Sequence, residues 1–89
     1  MNQQQKKDEL YRLLAETTTP EDIAALMEDL CTVKEIENMA ERLLTARLLL
    51  EGCTYTQVMS QANISSATLS RVSRCVQNGK GYSRLLKIE

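Results

Sequence analysis

The chain has 89 residues, the length of one domain, with eleven basic and twelve acidic side chains and a net charge of −1. It contains no His, Phe or Trp, and its aromatic residues are Tyr11, Tyr55 and Tyr82 alone. This argues against a binder of single strands, which stacks bases on aromatic rings, and leaves a core of Leu, Ile, Val, Met and Ala that suits packed helices.

In chain order, residues 3–15 put Leu10, Leu13 and Leu14 on one face with Tyr11 beside them, an amphipathic helix. Thr17-Thr18-Thr19-Pro20 breaks it. Pro fits the first helical position and Thr19 the N-cap before it, while Glu21 and Asp22 suit the positive end of the new helix dipole. That second helix, 20–30, is expected to bury Ile23, Leu26, Met27 and Leu30. Thr32 and Glu35 form a capping box that starts a third helix, 33–51, stopped by Gly52. At 1.5 Å per residue it is a rod of roughly 28 Å. Its early part shows one stripe, Val33, Ile36, Met39, Ala40, Leu43 and Leu44. Its late part, with Leu48, Leu49 and Leu50, is apolar on more than one face and needs cover on each. A chain of this size buries only roughly 60–65% of its unfolded surface. A homodimer with this helix near its centre is therefore expected, the other arrangement being a monomer that uses its C-terminal helices as cover.

Thr54 and Gln57 make another capping box, opening a fourth helix that ends near Ala62. Asn63 tolerates the left-handed region and is expected to make the turn. Ser65 caps a fifth helix through Gln77, Gly79 and Gly81 end it, and a last helix at 82–87 carries Leu85 and Leu86. The expected fold is all-α, a single domain over 1–89. Its dimerisation helices lie in 3–51, a helix-turn-helix in 54–77 and a C-terminal helix in 82–87.

Charge sets the two parts of the chain apart. Residues 1–51 carry six basic and eleven acidic side chains, whereas 52–89 carry five basic and one acidic. No carboxylate lies between Gly52 and Ile88, where Arg71, Arg74, Lys80, Arg84 and Lys87 all stand. A cationic half built on a helix-turn-helix points to double-stranded DNA as partner. Val58, Ala62, Ile64, Leu69 and Val72 are the expected contact set between the two helices. Ser65, Ser66, Ala67, Ser70, Arg71 and Arg74 then face outward: small residues that permit close approach, and arginines that fork onto guanine edges or phosphates. Tyr55 and Thr56, at the start of the bracing helix, are placed to reach the backbone, and Lys80 and Arg84 extend the cationic surface.

Other chemistries find little support. No His is present and no nucleophile–base pair is suggested, so the chain is not read as an enzyme. Cys31, Cys53 and Cys75 are odd in number and widely spaced, which predicts reduced, mostly buried thiols with no metal or other cofactor. Gly79-Lys80-Gly81 lacks the strand and spacing of a phosphate loop. No apolar run approaches the roughly 20 residues of a membrane span, and no secretory signal is visible, so a cytoplasmic protein is expected.

The Leu-rich helix ending in Gly52, the string from Ser65 to Val72 and the Thr19-Pro20-Glu21-Asp22 opening resemble the Trp repressor superfamily. More closely, they resemble its YerC/YecD-type Trp repressor-related proteins. The resemblance spans about residues 8–87. It implies a six-helix, intertwined homodimer that regulates transcription, with bases met by Tyr55, Thr56, Ser66, Ala67 and Ser70. The tryptophan repressor senses its ligand between two arginines, with a Thr and a Ser nearby. Arg71 and Thr68 stand at one arginine and at the Thr; Cys75 stands at the Ser, and Val72 replaces a Gly. The second arginine position, eight residues before Gly52, is Leu44, with Arg47 one turn along as a substitute. An effector pocket of Leu44, Arg47, Thr68, Arg71 and Cys75 is thus implied, missing half of an indole sandwich, so tryptophan is not the expected corepressor. The leading function is a dimeric, sequence-specific DNA-binding regulator, a repressor. The competing one is a protein-interaction module docking an acidic partner through the same helix pair. A replication-initiator-type DNA-binding domain of the same superfamily is disfavoured, since no ATPase is attached.

Overall fold

The structure is a computed structural model that describes residues 1–86. Among these, six helices and no strand are found: α1 (Gln3–Glu16), α2 (Pro20–Leu30), α3 (Val33–Leu50), α4 (Tyr55–Gln61), α5 (Ser66–Asn78) and α6 (Tyr82–Leu85). The all-α expectation holds. Lys87, both as a cation and as the end of the last helix expected over 82–87, lies outside the described residues. The chain divides into two units, Met1–Ile36 and Glu37–Glu89, and α3 begins in the first and ends in the second.

The first unit is made of well-capped helices with little interior. At α1, Asn2 and Gln5 exchange side-chain bonds to each other's backbone N–H, both at 2.8 Å. At α2, Pro20 holds the first position and the Thr19 hydroxyl accepts from the Asp22 N–H at 3.1 Å. At α3, the Thr32 N–H donates to Glu35 Oε1 at 2.7 Å and the Glu35 N–H to Thr32 Oγ1 at 3.1 Å. Yet neither α1 nor α2 has a buried residue. Ile23, Leu26 and Met27 are half-buried, whereas Leu30 is 52% exposed and Val33 74% exposed. The apolar stripe is where periodicity puts it, but burial of Leu30 does not follow, because this unit has no layer of its own to cover it.

The second unit holds the core. Leu48, Val58, Ala62 and Leu69 form one buried cluster, with Leu44, Leu49, Cys53 and Ile64 packed against it. Val72, Ala46 and Thr45 are also buried, and the Thr45 hydroxyl returns to the Glu41 carbonyl at 2.8 Å. Full burial of side chains such as Leu69, Val58 and Val72 contributes roughly 1.5–3 kcal/mol each. The contact set expected between α4 and α5 is therefore the centre of this unit. From α3, Leu48 belongs to the buried cluster with Leu44 and Leu49 packed against it, and Thr45 and Ala46 are the other buried residues of that helix. Of the apolar stripe on that helix, Leu44 packs against the cluster and Ile36 and Met39 are half-buried, whereas Val33, Ala40 and Leu43 are exposed.

α3 ends in a Schellman motif: the Cys53 N–H reaches the Leu48 carbonyl and the Gly52 N–H the Leu49 carbonyl, both at 3.0 Å. Gly52 has φ +93°, the left-handed conformation that this cap needs and a side chain resists.

Candidate nucleic-acid interface

α4 starts with the expected box, in which the Thr54 N–H donates to Gln57 Oε1 at 2.8 Å and the Gln57 N–H to Thr54 Oγ1 at 3.2 Å. The two bonds satisfy donors at the helix start and leave Tyr55 and Thr56 exposed on its first turn. Val58 and Ala62, one turn apart, are buried.

The turn between α4 and α5 differs from expectation. Asn63 does not adopt positive φ, as no non-Gly residue does among those described. Instead the link is extended at both of its ends, at Ala62 (φ −109°, ψ 139°) and at Ser65 (φ −74°, ψ 158°). The Asn63 N–H, which has no helical acceptor in this link, donates to Glu41 Oε2 of α3 at 2.6 Å. An external carboxylate does what a left-handed residue was expected to do.

Ser65 is the N-cap of α5: its hydroxyl accepts from the Thr68 N–H at 3.2 Å and donates to Thr68 Oγ1 at 3.0 Å. That hydroxyl is thus engaged in the helix start and holds less capacity for a ligand than the sequence suggested. Leu69, Val72 and Ser73 face inward. At about 100° per residue, Ala67, Arg71, Arg74 and Asn78 cluster on the opposite side, and all of them are exposed. Ser66 is exposed at the first turn and Ser70 is half-buried at the flank. Arg71, Arg74 and Asn78 line one open recess with Cys75 and Gly79. Asn78, one position beyond the expected end of this helix, joins the outward face, and its wheel position relative to Arg71 and Arg74 is the signal for it. Lys80 and Arg84 follow, both exposed.

The residues expected to form an effector pocket are not all brought together. A cleft of about 370 Å³ is lined by Met39, Arg42, Leu43, Arg71, Val72, Cys75 and Tyr82. Arg71 and Cys75 are there. Leu44 packs against the core cluster, Arg47 is exposed, and neither lines the cleft. The reason is rotation: on α3, Leu44 is turned about 160° and Arg47 about 140° from Arg42. The second arginine beside Arg71 is Arg42, which sequence reasoning passed over. Thr68 lines a separate recess of about 230 Å³, again with Arg42, together with Asn38, Glu41, Asn63, Ile64 and Ser65. Chemically, the larger cleft offers two guanidinium groups, a phenol and aliphatic walls, which suits an anionic group on an apolar body.

Comparison with known proteins bears on this arrangement. The family model for Trp repressor protein matches residues 4–88. The chain belongs to the Trp repressor family. It is 39% identical over 72 residues to the YerC protein of Bacillus subtilis (strain 168), covering 81% of this chain and 69% of that protein. Among solved structures, it resembles a protein of Staphylococcus aureus provisionally described as a Trp repressor. That match has TM-score 0.86 and 33% identity over 97% of this chain and 92% of the other. A TrpR-like protein of Eubacterium eligens ATCC 27750 matches with TM-score 0.86 and 30% identity, over 91% of this chain and 84% of the other. Family membership and all-α fold are thus as the sequence implied. Among the described residues no helix is long and apolar enough to cross a membrane.

Proposed function

We propose that this Trp repressor family member is a cytoplasmic regulator that binds specific double-stranded DNA as a homodimer, through the α4–α5 helix-turn-helix, and represses by occupying its site. The observation that supports it most is the division of α5. Leu69 and Val72 are buried at 1% and 2% exposure, while Ala67, Arg71, Arg74 and Asn78 stand together in solvent. No acidic residue occurs from position 52 to 88, so no carboxylate of that stretch opposes phosphate. Small residues at the start of α5 let its backbone approach base edges, with Tyr55, Thr56, Lys80 and Arg84 reaching for the flanking backbone. Dimerisation is supported by the uncovered stripe of the first unit, which has no core of its own.

The experiment is selection of a duplex from a random library by the wild-type protein, followed by fluorescence anisotropy over a range of salt. Affinity should fall steeply as salt rises, because phosphate binding releases counterions. Arg71→Ala should weaken binding to the selected duplex by about 1–3 kcal/mol and to a scrambled one by less. Failure to enrich any sequence, with retention of an acidic protein instead, would favour the docking-module reading. The effector, an unidentified small molecule, is assigned to the cleft of Arg42, Arg71, Cys75 and Tyr82. In the same titration with amino acids or nucleobases added, Arg42→Ala should remove any response.

A further inference from the structure

We propose that Glu41 of α3 is a positioning residue for sequence discrimination. It rests on the duplex-DNA reading above and acts by fixing the α4–α5 link from outside the helix pair. The carboxylate accepts from the Asn63 N–H at 2.6 Å across 22 positions. Every other side-chain hydrogen bond found among the described residues spans four positions or fewer. The link it touches is extended at Ala62 and again at Ser65, and holds no left-handed residue. Such a connection has few bonds of its own to define its direction. Two residues beyond Asn63 the Ser65 cap sets α5 going, so the position of the Asn63 N–H fixes where the outward face of α5 points. The helical turn that carries Glu41 has a further bond: the hydroxyl of the fully buried Thr45 donates to the Glu41 backbone carbonyl at 2.8 Å.

The choice of residue carries a further point. Glutamine would accept the same bond without a charge, whereas Glu41 brings a carboxylate up to a link in a stretch that has none of its own. A charge-assisted bond is shorter and stronger than a neutral one, at the expense of repelling phosphate. Glu41 therefore trades general affinity for a fixed helix angle.

The test is a double-mutant cycle read as the ratio of affinities for the duplex selected by the wild type and a scrambled duplex. Glu41→Leu removes the acceptor. Asn63→Pro removes the donor, and the extended backbone of Ala62 suits a following proline. Each should lower the ratio about tenfold, and the double variant no further, because both delete one bond. Glu41→Gln should give a ratio between those of Glu41→Leu and the wild type and tighten binding to both duplexes, since it keeps an acceptor, weakens the bond and sheds the charge. Melting curves confirm that each variant is folded. Losses that add in the double variant, a wild-type ratio in Glu41→Leu, or a Glu41→Gln variant as poor as Glu41→Leu would each overturn the proposal. A wild-type protein indifferent to duplex sequence would remove the DNA reading itself, which is a separate and recognisable result.

Discussion

At the scale of single residues, the capping glutamate of α3 shows how a fully exposed group acquires a defined state. Glu35 is held below the usual carboxylate range, first by the backbone hydrogen bond from Thr32 and then by that residue's side chain, with slight desolvation acting the other way. Because its folded pKa is lowered, the cap contributes fully above the unfolded value and fades as pH falls through the folded one. The Thr32 amide resonance should thus titrate with a midpoint below 4.5, and Glu35→Gln should abolish that titration; a midpoint at or above 4.5 would contradict the cap. Arg42, which lines the cleft with Arg71, is absent from the residues that the sequence brought forward. Counting back from Gly52 led to Leu44 and Arg47, but which arginine of α3 faces α5 depends on how the helix is rotated about its axis, and no local pattern reports that rotation. Asn63 misled for a related reason: its tolerance of positive φ is real, but a carboxylate from 22 positions away made that conformation unnecessary.

Among elements, what is local was legible. Thr19, Thr32, Thr54 and Ser65 all cap as read, because a cap is a contact across three positions that sequence spacing already contains. Gly52 ends α3 for the same reason. What is not local was legible only in part: Leu44, Leu48 and Leu49 of the apolar positions on α3 reach the core, but Thr45 and Ala46 are buried beside them while Leu43 stays exposed. Ala46, wholly buried, marks a place where the helix comes close to its neighbours, and a small side chain announces this only after packing is known. The Thr54 box carries an expectation of its own. Thr54→Ala should cost about 1 kcal/mol in global stability, measured by urea denaturation, because it strips one acceptor from the start of α4. Thr54→Ser should restore most of it; a Ser variant no better than Ala would show that the hydroxyl does not matter.

For the molecule as a whole, the two units are unequal. All the buried side chains found among the described residues lie between Thr45 and Ser73, within the second unit. The first carries Leu10, Leu13, Leu30 and Val33 in solvent. Homodimer formation is the expected way to cover them, and it makes stability depend on concentration. The wild-type melting temperature should rise with protein concentration, and sedimentation should report two chains. Leu30→Lys, placing a charge on that surface, should remove the concentration dependence and yield single chains. A wild-type melting point independent of concentration would leave the stripe without its proposed role.

At Gly52 a β-carbon would meet no atom within 4 Å, yet φ is +93°. Space is therefore not what the position refuses; it refuses an L-configured α-carbon. A D-alanine introduced there by chemical ligation at the adjacent Cys53 would find both room and its favoured torsion. The ordinary enantiomer, with the same atoms and the same room, would strain the stop and unsettle the angle at which the chain departs towards Thr54.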